Sequence, residues 1–89
     1  MSLFSLGKVV TTPGALAFCN ERSINPATLL NRHASGDWGD LDTHDTQANV
    51  HAIQHDLRVF SVYKFGNEKL WVISEADRAS TCLLLPSEY

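Results

Sequence analysis

Two strand-like stretches joined by a tight turn restrict this chain more than any other feature. Arg58-Val-Phe-Ser-Val-Tyr-Lys-Phe65 alternates, and Leu70-Trp-Val-Ile-Ser74 is built from aromatic and β-branched residues that suit a pleated surface. Between them, Phe65-Gly66-Asn67-Glu68 carries a Gly-Asn pair, which predicts an antiparallel hairpin. A polar connection, Glu75-Ala-Asp-Arg-Ala79, leads to Ser80-Thr-Cys-Leu-Leu-Leu85, a third strand that Pro86 ends. Three such strands have an apolar face to bury, and the rest of the chain must cover it.

The cover is predicted to be helical. Thr12-Pro13 reads as a capping threonine followed by proline at the first helical position, where the missing N–H costs nothing. The helix it opens spans Pro13 to Glu21, with Leu16, Phe18 and Cys19 turned inward. Asn25-Pro26 repeats the device for a helix from Pro26 to Ala34, with Ile24 and Leu29 at the spacing of a hydrophobic staple. Leu29, Leu30 and His33 share a face there, so His33 is expected half-buried, anchoring the loop that follows. Asp40, Asp42 and Thr43 all qualify as caps of a third helix, about Thr43 to Asp56, and the carboxylates suit the positive end of its dipole. On that helix Val50, Ile53 and Leu57 form one apolar stripe; His44, His51 and His55 form another, turned away from it; Asp45, Asn49 and Asp56 line the opposite flank. The predicted fold is α+β: three helices on a three-stranded antiparallel meander, with Val9-Val10 a candidate fourth strand at one edge.

Eighty-nine residues make a single domain, and one this small gains from burying an apolar face in a homodimer. Ten acidic and seven basic residues leave a net charge of −3, which argues against a basic groove for nucleic-acid phosphates. A DNA-binding accessory would need a patch built from Arg22, Arg32 and Arg58. Cys19 and Cys82 belong to no Cys-x-x-Cys pair and read as small core residues of a cytoplasmic protein. The first residues lack a basic region followed by a long apolar run, so no leader is expected, and no stretch approaches the roughly 20 apolar residues of a membrane span.

The chemistry concentrates in Arg32-His33-Ala34-Ser35-Gly36-Asp37-Trp38-Gly39-Asp40-Leu41-Asp42. Glycines flank Asp37-Trp38, and a large aromatic displayed on such a turn is a candidate contact point. His51 and His55 stand at the i, i+4 spacing of metal ligands, but no acid follows His51 and the stripe faces away from the core. Asp37, Asp40, Asp42 and Asp45 gather carboxylates without meeting the EF-hand pattern. No metal and no cofactor is therefore expected. Asp77 and Arg78 suit either a small ligand or a local pair that holds the turn. Trp71 either packs under the helices or, with Tyr63, makes an exposed aromatic face for a partner.

Thr12-Pro13-Gly14-Ala15-Leu16, Arg32-His33, Gly36-Asp37-Trp38-Gly39, Asp45 with Asn49, and Trp71, Glu75-Ala76-Asp77-Arg78, Leu84-Leu85-Pro86 and Glu88-Tyr89 together resemble a family of small uncharacterised proteobacterial proteins. Its members are carried on plasmids and integrated mobile elements, and the resemblance runs over nearly the whole chain. It implies a mobile-element accessory protein and supplies no mechanism. The expectation is a non-enzymatic module in the bacterial cytoplasm that binds a protein, such as restriction, CRISPR or element-maintenance machinery. Its contact residues would be Arg32, His33, Asp37, Trp38, Asp45, Asn49, Asp77 and Arg78. The alternative is a small phosphoester-processing enzyme, which requires His33, Asp37, Asp45 and Asn49 to meet Asp77 and Arg78 in one cleft.

Overall fold

The computed structural model describes residues 2–89. Helix α1 spans Pro13–Glu21, α2 Pro26–Ala34 and α3 Thr43–His55. Each begins as its sequence dictates: the side chains of Thr12, Asn25 and Asp42 accept the backbone N–H groups of Ala15, Ala27 and Asp45 at 3.2, 3.0 and 2.7 Å. Strands β1 (Lys8–Thr11), β2 (Val59–Phe65), β3 (Glu68–Ser74) and β4 (Ser80–Leu84) make one sheet in the order β1-β4-β3-β2. A 3-10 turn, Pro86–Glu88, follows β4.

The α+β class stands, but the sheet is four-stranded and mixed rather than a three-stranded meander. The hairpin forms around Gly66, β4 pairs antiparallel with β3, and β1 lies parallel to β4 at the edge, with Val9 beside Thr81 and Val10 beside Cys82. A parallel edge needs a crossover between its strands, and here all three helices and the hairpin intervene.

Register sorts the strand residues onto two faces. Val59, Ser61 and Tyr63 of β2, Leu70, Val72 and Ser74 of β3, and Thr81 and Leu83 of β4 face the helices, all of them buried. Ala15, Phe18 and Cys19 of α1 and Leu29 of α2 complete this core, while Leu16, expected inside, is exposed. Helix α3 packs differently. Its inward residues are Asn49 and Ala52, with Ile53 half-buried, and Val50 and Leu57 lie outside. The reason is that α3 abuts the outer edge of β2, where there are backbone groups to satisfy and not only an apolar face. Asn49 meets them: its carboxamide accepts from Phe60 N–H at 3.1 Å and donates to Phe60 C=O at 2.6 Å.

The 36–42 loop seals the rest of that edge. Val62 N–H donates to Trp38 C=O and Asp40 N–H to Val62 C=O, while the Asp40 carboxylate accepts from Lys64 N–H. Gly39 sits at φ 75°, and a Cβ there would stand 2.1 Å from Val62 C=O, so only glycine allows the approach.

Candidate interaction face

The residues singled out from sequence are mostly consumed by the fold. Trp38 is the main correction. The paired edge carries its ring inward, where it is 7% exposed beside Ala52 and Val59 and its Nε1–H donates to His33 C=O at 3.0 Å. It is a core residue and not a displayed contact. His33 is fully rather than half buried, and it bonds two side chains: Nδ1 lies 2.5 Å from Ser61 Oγ, and Nε2 2.9 Å from Ser74 Oγ. Ser74 Oγ is 2.6 Å from Thr81 Oγ1, which donates to Leu6 C=O. That last carbonyl fixes the direction of the chain. Thr81 accepts from Ser74, Ser74 accepts from His33 Nε2–H, and His33 Nδ1 accepts from Ser61. Burial, with the positive charge of Arg78, pushes the imidazole pKa down to about 4, so near pH 7 the ring is neutral and its Nδ1 is the acceptor from Ser61.

Arg32 grips Asp37 through two hydrogen bonds, Nε to Oδ2 at 2.6 Å and Nη2 to Oδ1 at 3.1 Å, and its guanidinium lies 4.5 Å above the Tyr63 ring. The Asp37 carboxyl is held below its ordinary range, first by the Arg32 hydrogen bond. Tyr63 hydroxyl donates to Asp37 C=O, and burial pushes its pKa up to about 12. Arg78, at φ 60°, caps the far end of α3 by donating to the carbonyls of Ala52, Leu57, Glu75 and Ala76. Asp77 accepts from Ala79 N–H. Asp45 stays exposed at the start of α3, and with Asp42 and His44 it places ligand atoms within 4.8 Å of one another. Helix capping accounts for that cluster. His51 and His55 stack at 4.1 Å between ring centres and are exposed.

The cleft required of a phosphoester-processing enzyme is not assembled. Asp45 and the Arg78 guanidinium serve opposite ends of α3, roughly 10 Å of helix apart, with His33 buried and Asn49 occupied by β2.

The helices leave the other face of the sheet uncovered, although Val62, Ile73 and Leu84 on it are buried and Phe60, Trp71 and Cys82 are half-buried. Register puts Phe60, Val62 and Lys64 of β2, Lys69, Trp71 and Ile73 of β3, Cys82 and Leu84 of β4, and Lys8 and Val10 of β1 on it. None of its strand residues belongs to either apolar cluster that the helices join. Its centre is aromatic: Phe60 and Trp71 meet edge to face at 5.0 Å, and Tyr89, folded back by the 3-10 turn, meets Trp71 at 5.7 Å. Arg58, Phe60, Trp71, Ile73 and Tyr89 line a groove of about 280 Å³. Trp71 Nε1 is buried there and has no hydrogen-bond partner among the described residues. All three lysines of the chain, with Arg58, surround this apolar centre in a protein whose net charge is −3. Arg58 donates to Glu75 at 3.1 Å, and Glu75 and Glu88 are the acidic groups that, after burial, hold the Cys82 thiol above its ordinary range.

Of these residues, sequence reasoning reached Trp71, named Arg58 only for a DNA-binding patch and Tyr89 only within the resemblance, and missed Phe60 and Ile73; Tyr63, proposed as the neighbour of Trp71, points to the helices instead. A signal was present. In β2, β3 and β4 both faces carry large apolar residues, Tyr63, Leu70, Val72 and Leu83 on one and Phe60, Val62, Trp71, Ile73 and Leu84 on the other, and the helices suffice for one. Cys82 lies half-buried on this face, while Cys19 is in the core as expected. No helix of the described residues is long and apolar enough to cross a membrane. In comparisons with known proteins, no family model, no curated protein and no solved structure matches the chain.

Proposed function

We propose that the chain is a non-enzymatic protein-binding module whose contact surface is the aromatic, lysine-rimmed face of the sheet. The observation that carries this reading is the apolar groove of about 280 Å³ lined by Arg58, Phe60, Trp71, Ile73 and Tyr89, with lysines at its rim. The Trp71 Nε1–H is buried without an acceptor among the described residues, at a cost of about 1–3 kcal/mol to the free protein. The occupant has a stated chemistry: a protein segment with an apolar side chain for the groove and acidic groups for Lys64 and Lys69. Interfaces are typically anchored in this way by aromatic residues at the centre with charges at the rim. The resemblance to mobile-element proteins directs the search for the partner to restriction, CRISPR and element-maintenance complexes of the bacterial cytoplasm.

Trp71→Phe tests this directly. The variant keeps an aromatic ring and removes the unpaired donor, so the free protein should be as stable as the parent or more so. Affinity for a partner recovered from host lysate should fall severalfold because the smaller ring reshapes the groove, and Tyr89→Ala, which removes an exposed aromatic wall of it, should weaken binding by about tenfold. Binding should weaken with added salt. A partner held equally well by both variants, or an oligonucleotide bound at this face in its place, would overturn the reading.

A further inference from the structure

The two edges of the sheet are treated differently. Along β2, Asn49, Trp38 and Asp40 occupy the outward N–H and C=O groups of Phe60 and Val62 and the N–H of Lys64. Along β1, Lys8 N–H reaches Ala79 C=O and Thr12 N–H reaches Leu83 C=O, so the alternation of the strand directs the N–H and C=O groups of Val9 and Thr11 away from β4. No hydrogen bond to these four groups is present among the described residues. Val9 and Val10 are 42% and 40% exposed, and no proline, charge or bulge interrupts them. Edges of this kind are templates for a further strand.

We infer that the occupant is a second copy of this chain, with β1 pairing antiparallel to β1 about a two-fold axis at Val10. The backbone permits few registers. Only Val9 and Thr11 present outward groups, and setting Val9 opposite Thr11 of the second copy uses all of them in four hydrogen bonds. Val10 then faces Val10 of the second copy, and Lys8 faces Thr12. Thr12 is where charge complementarity enters, because its hydroxyl holds the Glu88 carboxylate at 2.5 Å. Each Lys8 thus arrives beside a Glu88 of the other copy, twice about the axis, within the reach of directly opposed strand residues. Pro13 follows where no further donor is needed. The product is a continuous eight-stranded sheet with both aromatic faces on the same side. The pairing uses Lys8 and Val10 at the border of that face and leaves its aromatic groove, Lys64 and Lys69 free for a partner.

The charge swap at Val10 is the decisive experiment. By light scattering the parent protein should have twice the 9.9 kDa chain mass at high concentration. Val10→Lys and Val10→Glu place like charges against each other at the axis, so each alone should fall to the chain mass, and their mixture should regain the doubled mass. Thr11→Pro deletes an outward donor and leaves the bonds to β4, and it should also lose the dimer while keeping its circular dichroism. In the unaltered protein, Val9 and Thr11 amides should exchange slowly when concentrated and rapidly when dilute. A parent that keeps the chain mass at millimolar concentration overturns the inference, as does a dimer that survives Val10→Lys. Trp71→Phe should leave the dimer intact, so loss of partner binding and loss of pairing can be told apart.

Discussion

His33 carries no catalytic function that the geometry supports, yet it governs how stability depends on pH. It is neutral in the fold, with a pKa of about 4, because burial penalises the charged ring and protonation would place a second cation near Arg78. Phe4 packs edge-on against the ring at 5.3 Å and adds no compensating charge. An unfolded histidine titrates near 6.5, so between these values the unfolded chain binds more protons and stability falls as pH falls. Full stability is present above pH 6.5, and about 3 kcal/mol is lost by pH 4. Urea unfolding across this range checks it; a flat profile between pH 6.5 and 4.5 would refute a buried neutral imidazole. Sequence placed His33 on the inner face of α2, but not its partners. Ser61, Ser74 and Thr81 lie on three different strands, and only register brings them into line.

At the scale of elements, α3 shows where periodicity misleads. The stripe Val50, Ile53 and Leu57 is the apolar arc a helical wheel selects, yet two of the three are solvent-exposed and Asn49 is buried. Apolar periodicity finds the side of a helix that meets an apolar surface. This helix meets the edge of a strand, and what that edge requires is a donor and an acceptor. Asn49→Ala leaves Phe60 N–H and C=O without partners and should cost about 2 kcal/mol in urea unfolding. Val50→Ala, deleting a more apolar side chain four-tenths or more exposed, should cost far less. The same reasoning separates the two edges: β2 is sealed by a side chain and a glycine loop, and β1 is left able to accept a strand.

For the molecule as a whole, Trp38 joins the loop, α3 and β2 into one body. A tryptophan between glycines reads as displayed, and an exposed ring could be deleted at little cost. Buried among Ala52, Val59, Phe4, Leu41 and Ile53, it cannot be. Trp38→Ala should cost about 3–5 kcal/mol, a large share of the stability of a domain this small. Thermal unfolding decides: a midpoint close to the parent's would return Trp38 to the surface. The face left free is instead the one where Phe60, Trp71 and Tyr89 meet, assembled from two strands and the chain end.

The sequence by itself determined the elements. Caps, prolines and the Gly-Asn turn act over three or four residues, so Thr12, Asn25 and Asp42 open their helices wherever these pack, and the three later strands and the α+β class follow. Only the tertiary structure decided which residues the fold uses up and which it leaves available. Whether Trp38 or Trp71 is spent in the core, whether Arg78 meets a ligand or the end of α3, and which sheet edge is closed depend on contacts between residues far apart in the chain. Those contacts are set by strand order and register, which local pattern does not encode.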